Sequence, residues 1–433
     1  MKRLILLLVI VVGAGVEQAD AQFLIEMIDT SSEAGKGKWA MFKKYDNLSI
    51  TGYFQPQYQV IEEKGARSYN GGNFPAQVNN RFMIRRGRIR FDYAHFTDEG
   101  KPSAQFVMQF DGTERGVNIR DFWGRIYENK LELFSFTTGM FARPFGYEIN
   151  LSSGVRETPE RGRMSQILMK TERDLGVMVS FEPRKKNHPL RKLKWDLGVF
   201  NGQGLAGPSE FDSYKDIISR ISLKPVDLSK NLTIASGLSL LYGNLANNSK
   251  YIYNMTEKNG KPVFQVDSSA SNYAAKSPRK YYGSDVQFKL KHKWGATELR
   301  GEYWWGTQTS TRNSTETPGE FIENTPFYTR KFSGAFVYLL QNIVNSKHQV
   351  GLKYDFYDPN TNLKGSQISD PISGHTLSDI KFSTITIGYN HYFSEHLKLL
   401  MWYDFIKNES TQLNDYKGDL KDNVFTCRIQ YTF

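Results

Sequence analysis

Between residues 48 and 433 the chain alternates apolar and polar residues with period 2, one segment after another. Successive side chains of a strand point to opposite faces, whereas those of a helix return to one face about every 3.6 residues. In the last segment Phe425, Cys427, Ile429, Tyr431 and Phe433 share one face, while Val424, Thr426, Arg428, Gln430 and Thr432 share the other. The fold must therefore offer each strand one apolar and one polar environment. A sandwich does so with its core and its solvated side, and a transmembrane barrel does so with lipid and a water-filled lumen.

The connections separate these two folds. Sixteen strands are read at 48–58, 81–96, 103–112, 119–127, 131–141, 172–182, 193–202 and 214–224, then at 232–242, 281–294, 296–307, 331–342, 348–358, 379–393, 396–408 and 422–433. Links after even-numbered strands are short, down to Gly295 alone and Ser394-Glu395. Most links after odd-numbered strands are long, as at 59–80, 142–171, 243–280, 308–330 and 359–378. Outer-membrane barrels segregate short periplasmic turns from long extracellular loops in this way. The expected fold is an all-β transmembrane antiparallel barrel of about sixteen strands.

Composition agrees. Only 39% of the 433 residues are hydrophobic, because a barrel wall needs apolar side chains at every second position, while 14% are aromatic. Trp195, Tyr303, Trp305, Tyr389, Tyr431 and Phe433 fall on the apolar parity or at strand ends, as interfacial girdles require. Past the N-terminus no stretch approaches the ~20 apolar residues of a membrane-spanning helix. The single Cys427 excludes a disulfide scaffold and a cysteine-based zinc site.

Residues 1–21 read as a signal peptide: Lys2 and Arg3, an apolar run over 4–16, then Ala19-Asp20-Ala21 as cleavage pattern. Residues 22–47 form a short periplasmic segment, with Met27, Trp39, Met41 and Phe42 available for a brace. That segment is too short for a plug domain, so passive diffusion is the default mechanism.

Several motifs resemble the phosphate-selective porin O and P family. They are Arg85-Arg86-Gly87-Arg88-Ile89-Arg90-Phe91, Phe141-Ala142-Arg143-Pro144-Phe145-Gly146-Tyr147-Glu148, Glu160-Arg161 and Gly198-Val199-Phe200-Asn201-Gly202, with Phe433 at the end. The resemblance runs over about 48–433 and is clearest between 81 and 202. It implies a sixteen-stranded, usually trimeric, anion-conducting porin of a Gram-negative outer membrane, without fixing phosphate as the solute.

The residues speak independently about the lumen. Arg86, Arg88 and Arg90 share one face of their strand and form a ladder, opposite Gly87, Ile89, Phe91 and Tyr93. Each guanidinium facing hydrocarbon near the midplane would cost about 2–4 kcal/mol, which assigns the ladder to the lumen. A planar guanidinium donates paired hydrogen bonds to oxyanions. Lys289, Lys291 and Lys293 repeat the spacing. Arg125 shares a face with Asp121 and Trp123, and Arg220 shares one with Asp216 and Lys224. Arg300, between Glu298 and Glu302, is expected to be neutralised, whereas the Arg86 ladder has only Asp92 nearby in sequence.

The link 142–171 carries Arg143, Arg156, Arg161, Arg163 and Lys170 against Glu148, Glu157 and Glu160. By resemblance it folds inward as a constriction, where cationic side chains select anions; the other reading is an exposed, solvated loop. The expected partners are small anionic solutes and outer-membrane lipid, with a homotrimer implied by the resemblance. No cofactor or metal is expected. A general non-selective porin is the alternative, and a barrel-embedded hydrolase a more distant one: the seven histidines are scattered, without an HExxH, GxSxG or P-loop motif. A net charge of +11 first suggests nucleic-acid binding, but the basic residues are dispersed through the strands.

Overall fold

The computed structural model describes residues 47–206, 210–320, 323–369 and 374–433; the expected signal peptide and nearly all of the 22–47 segment lie outside the described residues. The first strands are β1 (Leu48–Ile61), β2 (Asn80–Phe96), β3 (Pro102–Thr113), β4 (Gly116–Tyr127), β5 (Phe134–Ala142) and β6 (Arg173–Phe181). They continue as β7 (Leu193–Phe200), β8 (Asp216–Asp227), β9 (Leu232–Ala246), β10 (Tyr251–Lys258), β11 (Lys261–Ser268) and β12 (Lys276–His292). The last are β13 (Gly295–Ser310), β14 (Phe327–Asn342), β15 (His348–Asp358), β16 (Phe382–Tyr392), β17 (Leu397–Asn408) and β18 (Val424–Thr432).

Sixteen of these strands close into an antiparallel barrel. β9 pairs directly with β12, from Ala246↔Lys276 to Leu232↔Leu290, so β10 and β11 stand outside the wall. The ring is sealed by β1 on β18, from Tyr53↔Thr432 to Ile61↔Val424. Closure leaves no unpaired sheet edge in the hydrocarbon, which the bilayer demands.

Most strands begin or end within a few residues of expectation, and the differences have local causes. Only Glu114 and Arg115 join β3 to β4, so one link at the loop end is short. β5 starts at Phe134 rather than Leu131, because Glu132 is left-handed (φ 61°) and the Glu128 carboxylate accepts the Leu131 and Leu133 amides at 2.5 and 3.2 Å. The stretch 243–280, read as one link, contains the hairpin β10–β11. Its turn is Asn259-Gly260, with φ 52° and 72°, the dipeptide that a tight hairpin turn with two left-handed residues favours. The hairpin leans back on the rim, where Ile252 to Asn254 pair in parallel with Phe327 to Thr329 and Tyr253 stacks on Tyr328 at 4.3 Å.

The outer face is apolar: Ile89, Leu238, Val337 and Ile387 are all exposed toward the bilayer. Trp195, Tyr303, Trp305, Tyr431 and Phe433 are likewise exposed, and Trp305 stacks with Tyr282 and Tyr303. Tyr389 sits half-buried on the same outward parity.

Inside, the loop 143–172 between β5 and β6 enters the barrel and fills one side of it. Phe145, Tyr147, Ile149 and the short helix α1 (Arg163–Leu168) pack against Tyr281, Trp304, Phe332, Phe336 and Tyr338 of the wall. Phe145 meets Trp304 edge-to-face at 4.8 Å, the geometry aromatic quadrupoles prefer. This apolar plug-like fill covers the β6–β9 and β12–β15 side of the lumen. The β1–β5 side, with β18, is lined instead mainly by Gln, Ser, Thr, Asp and Arg.

Glycines make room for the large rings. Trp402 is fully buried and donates its indole N–H to Asn390 at 2.8 Å. A Cβ at Gly388 would lie 2.0 Å from its ring, and one at Gly351 2.3 Å. Gly388→Val is therefore expected to destabilise the barrel by about 1–3 kcal/mol through overpacking, read as a lower unfolding temperature of the heat-modifiable band in gel electrophoresis.

Candidate pore lane and constriction loop

Two β-bulges build the polar lane. Along β1 and β2 the register runs Gln55↔Arg86 and then Pro56↔Ile84, so Arg85 is an extra residue. Pro56 has no N–H to give to the ladder, and a bulge is where a strand tolerates that. Along β3 and β4 it runs Gln109↔Asp121 and then Phe110↔Ile119, so Arg120 is extra. Strict alternation would turn Arg85 and Arg120 toward lipid. The bulges turn both inward, beside Arg86 and Asp121.

Glu160 of the loop is the first hub. Its carboxylate accepts Arg85 Nε at 2.7 Å, Arg86 Nη2 at 2.9 Å and Arg428 Nη2 at 2.8 Å. Arg428 also holds Gln57 and the Pro159 carbonyl. Burial alone would raise the Glu160 carboxyl; the three guanidiniums outweigh it and hold the group well below the usual carboxylate range.

Glu172, at the far end of the loop, is the second hub. It pairs with Arg120, with Arg173 at 3.2 Å and with Arg161 at 3.6 Å. Arg173 continues to Asp121 at 3.2 Å, and Arg88 and Arg120 share Asp111 at 3.0 and 3.4 Å. Between the hubs, Arg86, Arg88, Arg156, Arg161 and Arg173 line one cavity with Glu172. Arg88 Nε and Arg161 Nη1 are buried there, and Arg120 Nε elsewhere in the lane, without a hydrogen-bond partner among the described residues. Such donors are left wanting an acceptor.

Further toward the turn end, Arg90 pairs with Asp92 at 2.6 Å, and Arg125 donates to Thr137 at 2.8 Å over the Trp123 ring. Along the whole lane Arg85, Arg86, Arg88, Arg90, Arg120, Arg125, Arg156, Arg161, Arg173 and Arg428 face five carboxylates, Asp92, Asp111, Asp121, Glu160 and Glu172. Ten cations against five anions leave a surplus of five positive charges.

The other expected residues are placed differently. Arg220 forms a bidentate pair with Asp285 at 2.6 and 3.0 Å, and Lys289 pairs with Glu298 at 3.2 Å. Lys291 is exposed at the turn end of β12. Arg300 is neutralised, as expected, by Glu298 and also by Glu157 of the loop at 2.8 Å. Arg143 is buried at the root of the loop, where it donates to the Thr171 carbonyl. Arg163 is wedged between the Tyr69 and Phe382 rings at 4.6 and 3.8 Å, away from the lane. The ladder Arg86, Arg88 and Arg90 is less bare than its own strand suggests, since Glu160 and Asp111 arrive from the loop and from β3.

Sequence reading passed over Arg85, Arg120, Arg173, Arg428 and Lys398. Lys398 crosses the lumen to donate to the Gly154 and Arg156 carbonyls at 3.0 and 3.1 Å. The loop thus touches β1, β2, β13, β14, β15, β17 and β18 through Ser153, Glu160, Glu157, Glu148, Arg163, Lys398 and Arg428. These contacts hold the loop inside the barrel, where it is not a solvated surface loop. Among the described residues no group of three or more His, Cys, Asp or Glu is placed to hold a metal ion.

Residues 270–433 match the family described as phosphate-selective porin O and P. The matched part covers β12–β18; the motifs between 81 and 202 lie outside it. No curated protein matches the sequence. Among solved structures the fold is similar to the crystal structure of the outer membrane channel DcaP of Acinetobacter baumannii, at 12% identity over 89% of this chain and 97% of that one, with TM-score 0.53. It is also similar to the high pH structure of Pseudomonas putida OprB, at 10% identity over 97% of this chain and 100% of that one, again with TM-score 0.53. At these identities the likeness bears on the fold. The family match and the closed barrel support a channel in the outer membrane.

Proposed function

We propose that the chain is a passive outer-membrane porin through which small anions diffuse, with phosphate or related oxyanions the favoured solutes. The observation that carries this reading is the surplus of five positive charges where the wall of β1–β5 and β18 meets the polar stretch of the inward-folded loop. Fixed charge of one sign at a constriction admits counter-ions and repels co-ions. The guanidiniums replace part of the hydration that an entering anion sheds, and their pairing with carboxylates keeps the attraction weak enough for release. The solute preference comes from the family match over 270–433 and from the bidentate fit of guanidinium to oxyanions. Exposed Lys291 adds positive charge near the turn end, while Lys289 is balanced by Glu298. Cleavage after Ala21 and assembly as a homotrimer complete the proposal.

In a planar bilayer under a potassium chloride gradient, the purified protein should give a reversal potential on the anion side. Equal permeability, or preference for cations, would end the anion reading. Added phosphate should reduce the chloride current in proportion to its occupancy of the lane. Chloride current indifferent to phosphate would leave a general anion pore.

A further inference from the structure

Three successive turns at the short-link end of the barrel share a composition that the pore does not use. The turn 128–133 presents Lys130 beside Leu131, which is 53% exposed. The turn 182–192 presents Lys185, Lys186 and Arg191, all exposed, with Leu190 at 48%. The turn 228–231 presents Lys230 beside Leu228 at 60%. The nearby acids are engaged locally: Glu128 accepts turn amides, Glu132 pairs with Lys101, Glu182 with Lys224, and Asp227 accepts the Thr233 hydroxyl. A patch of net positive charge studded with leucine remains. On one flank the turn 97–101 carries Asp98 and Glu99 beside Lys101; on the other the turn between β12 and β13 continues the positive charge with exposed Lys293 beside Trp294 at 46%.

The level of the patch follows from the aromatic girdle. Phe134 and Trp195 face outward one and three residues beyond their turns, and Phe134 packs on Phe181 at 5.6 Å. Aromatic girdles sit at the headgroup level. At ~3.3 Å per residue the short turns 128–133 and 228–231 lie within about 10 Å of that level, and the longer turn 182–192 folds back toward it through backbone bonds from His188 to Lys185, Arg191 to His188 and Leu193 to Leu190. A loop bathed only in periplasmic water has no use for three exposed leucines. Leucine between cations suits a surface where apolar side chains enter the acyl boundary while Lys and Arg meet phosphates.

We propose that the β4–β9 turns form a docking surface for anionic phospholipid headgroups of the periplasmic leaflet, seated by Leu131, Leu190 and Leu228 and held by Lys130, Lys185, Lys186, Arg191 and Lys230. The inference rests on placement in the outer membrane and not on the selectivity of the pore.

The full chain, reconstituted in vesicles of phosphatidylcholine with and without about one-third phosphatidylglycerol, provides the test. The unfolding temperature of the heat-modifiable band should be several degrees higher with the anionic lipid, and the gain should shrink as salt is raised. The triple variant Lys185→Glu, Lys186→Glu, Arg191→Glu should lose that gain while keeping the unfolding temperature of the parent in phosphatidylcholine. If the reversed charges impair folding, the triple glutamine variant serves instead and should lose most of it. Equal unfolding temperatures of the parent in both vesicles would overturn the proposal, and so would a gain that survives both variants. Binding to isolated peptidoglycan sacculi, lost in the variant and without any lipid-dependent gain, would assign the patch to the cell wall instead.

Discussion

Replacing Glu160 with glutamine should be the most damaging single change in the lumen. Three guanidiniums, from Arg85, Arg86 and Arg428, converge on one carboxylate whose side chain is 3% exposed. Removing the common partner of a buried ion cluster leaves like charges facing each other in a desolvated site, at a cost of about 3–5 kcal/mol. Glutamine keeps the shape but offers one acceptor and two competing donors. Glu160→Gln is expected to lower the urea midpoint of unfolding. It should also turn steady single-channel current into current with rapid fluctuations, as the loop segment around Pro159 loses its hold. An unchanged midpoint together with quiet current would show that Arg300–Glu157 and the apolar packing hold the loop alone.

The same cluster sets a pH dependence. A carboxyl whose folded-state pKa is depressed contributes stability that is present above its unfolded value and is lost as pH falls through the folded one. The Glu160 group lies well below the ordinary range near 4.5. The wild-type constriction should therefore stay quiet down to pH 4, and fluctuations should begin only in stronger acid. In Glu160→Gln they should be present at neutral pH and change little with acid. Onset near pH 5 in the wild type would place the sensitive group elsewhere.

The second large effect concerns selectivity. Among the described residues Arg125 holds Thr137 and the Trp123 ring rather than a carboxylate, and Arg161 makes one long ion pair, at 3.6 Å to Glu172. Two unit charges about 5 Å apart interact by roughly 1 kcal/mol in water-like surroundings, reduced by salt. Reversing one cation shifts anion and cation energies in opposite directions. Arg125→Glu combined with Arg161→Glu is thus expected to lower the anion-to-cation permeability ratio on the order of tenfold, measured as a shift of reversal potential. Reversal of Arg220, which is locked to Asp285, should disturb stability more than selectivity. If the Arg125 and Arg161 variant keeps the parent's reversal potential, the lane is not the path of the ions.

The barrel was legible in the sequence because its two strongest signals are local. Alternation along each strand places side chains on a face, and the contrast of short and long links assigns strand ends to one side or the other. The hairpin β10–β11 escaped notice even though Asn259-Gly260 marks its turn, because neither of its strands has a clean apolar parity. The lane was half legible. Arg86, Arg88 and Arg90 announce themselves by spacing, but Arg85 and Arg120 contradict it, since a bulge is a property of two strands in register and not of one segment. Pro56, on the partner strand, was the available hint. The pairing of Arg88 with Asp111, and of Arg86 with Glu160, joins residues that are 23 and 74 apart in the chain. No inspection of neighbours within one strand finds those acids.

The loop's grip has a bearing on how the ring comes to be shut. Arg85 and Arg86 belong to the second strand and Arg428 to the last, so Glu160 bridges the seam where the two ends of the chain meet. A barrel whose final strand has not yet docked presents Glu160 with two of its three cations, and leaves Arg428 without the carboxylate. Docking of the last strand is therefore the step that brings the third cation to Glu160 and ties the loop across the seam.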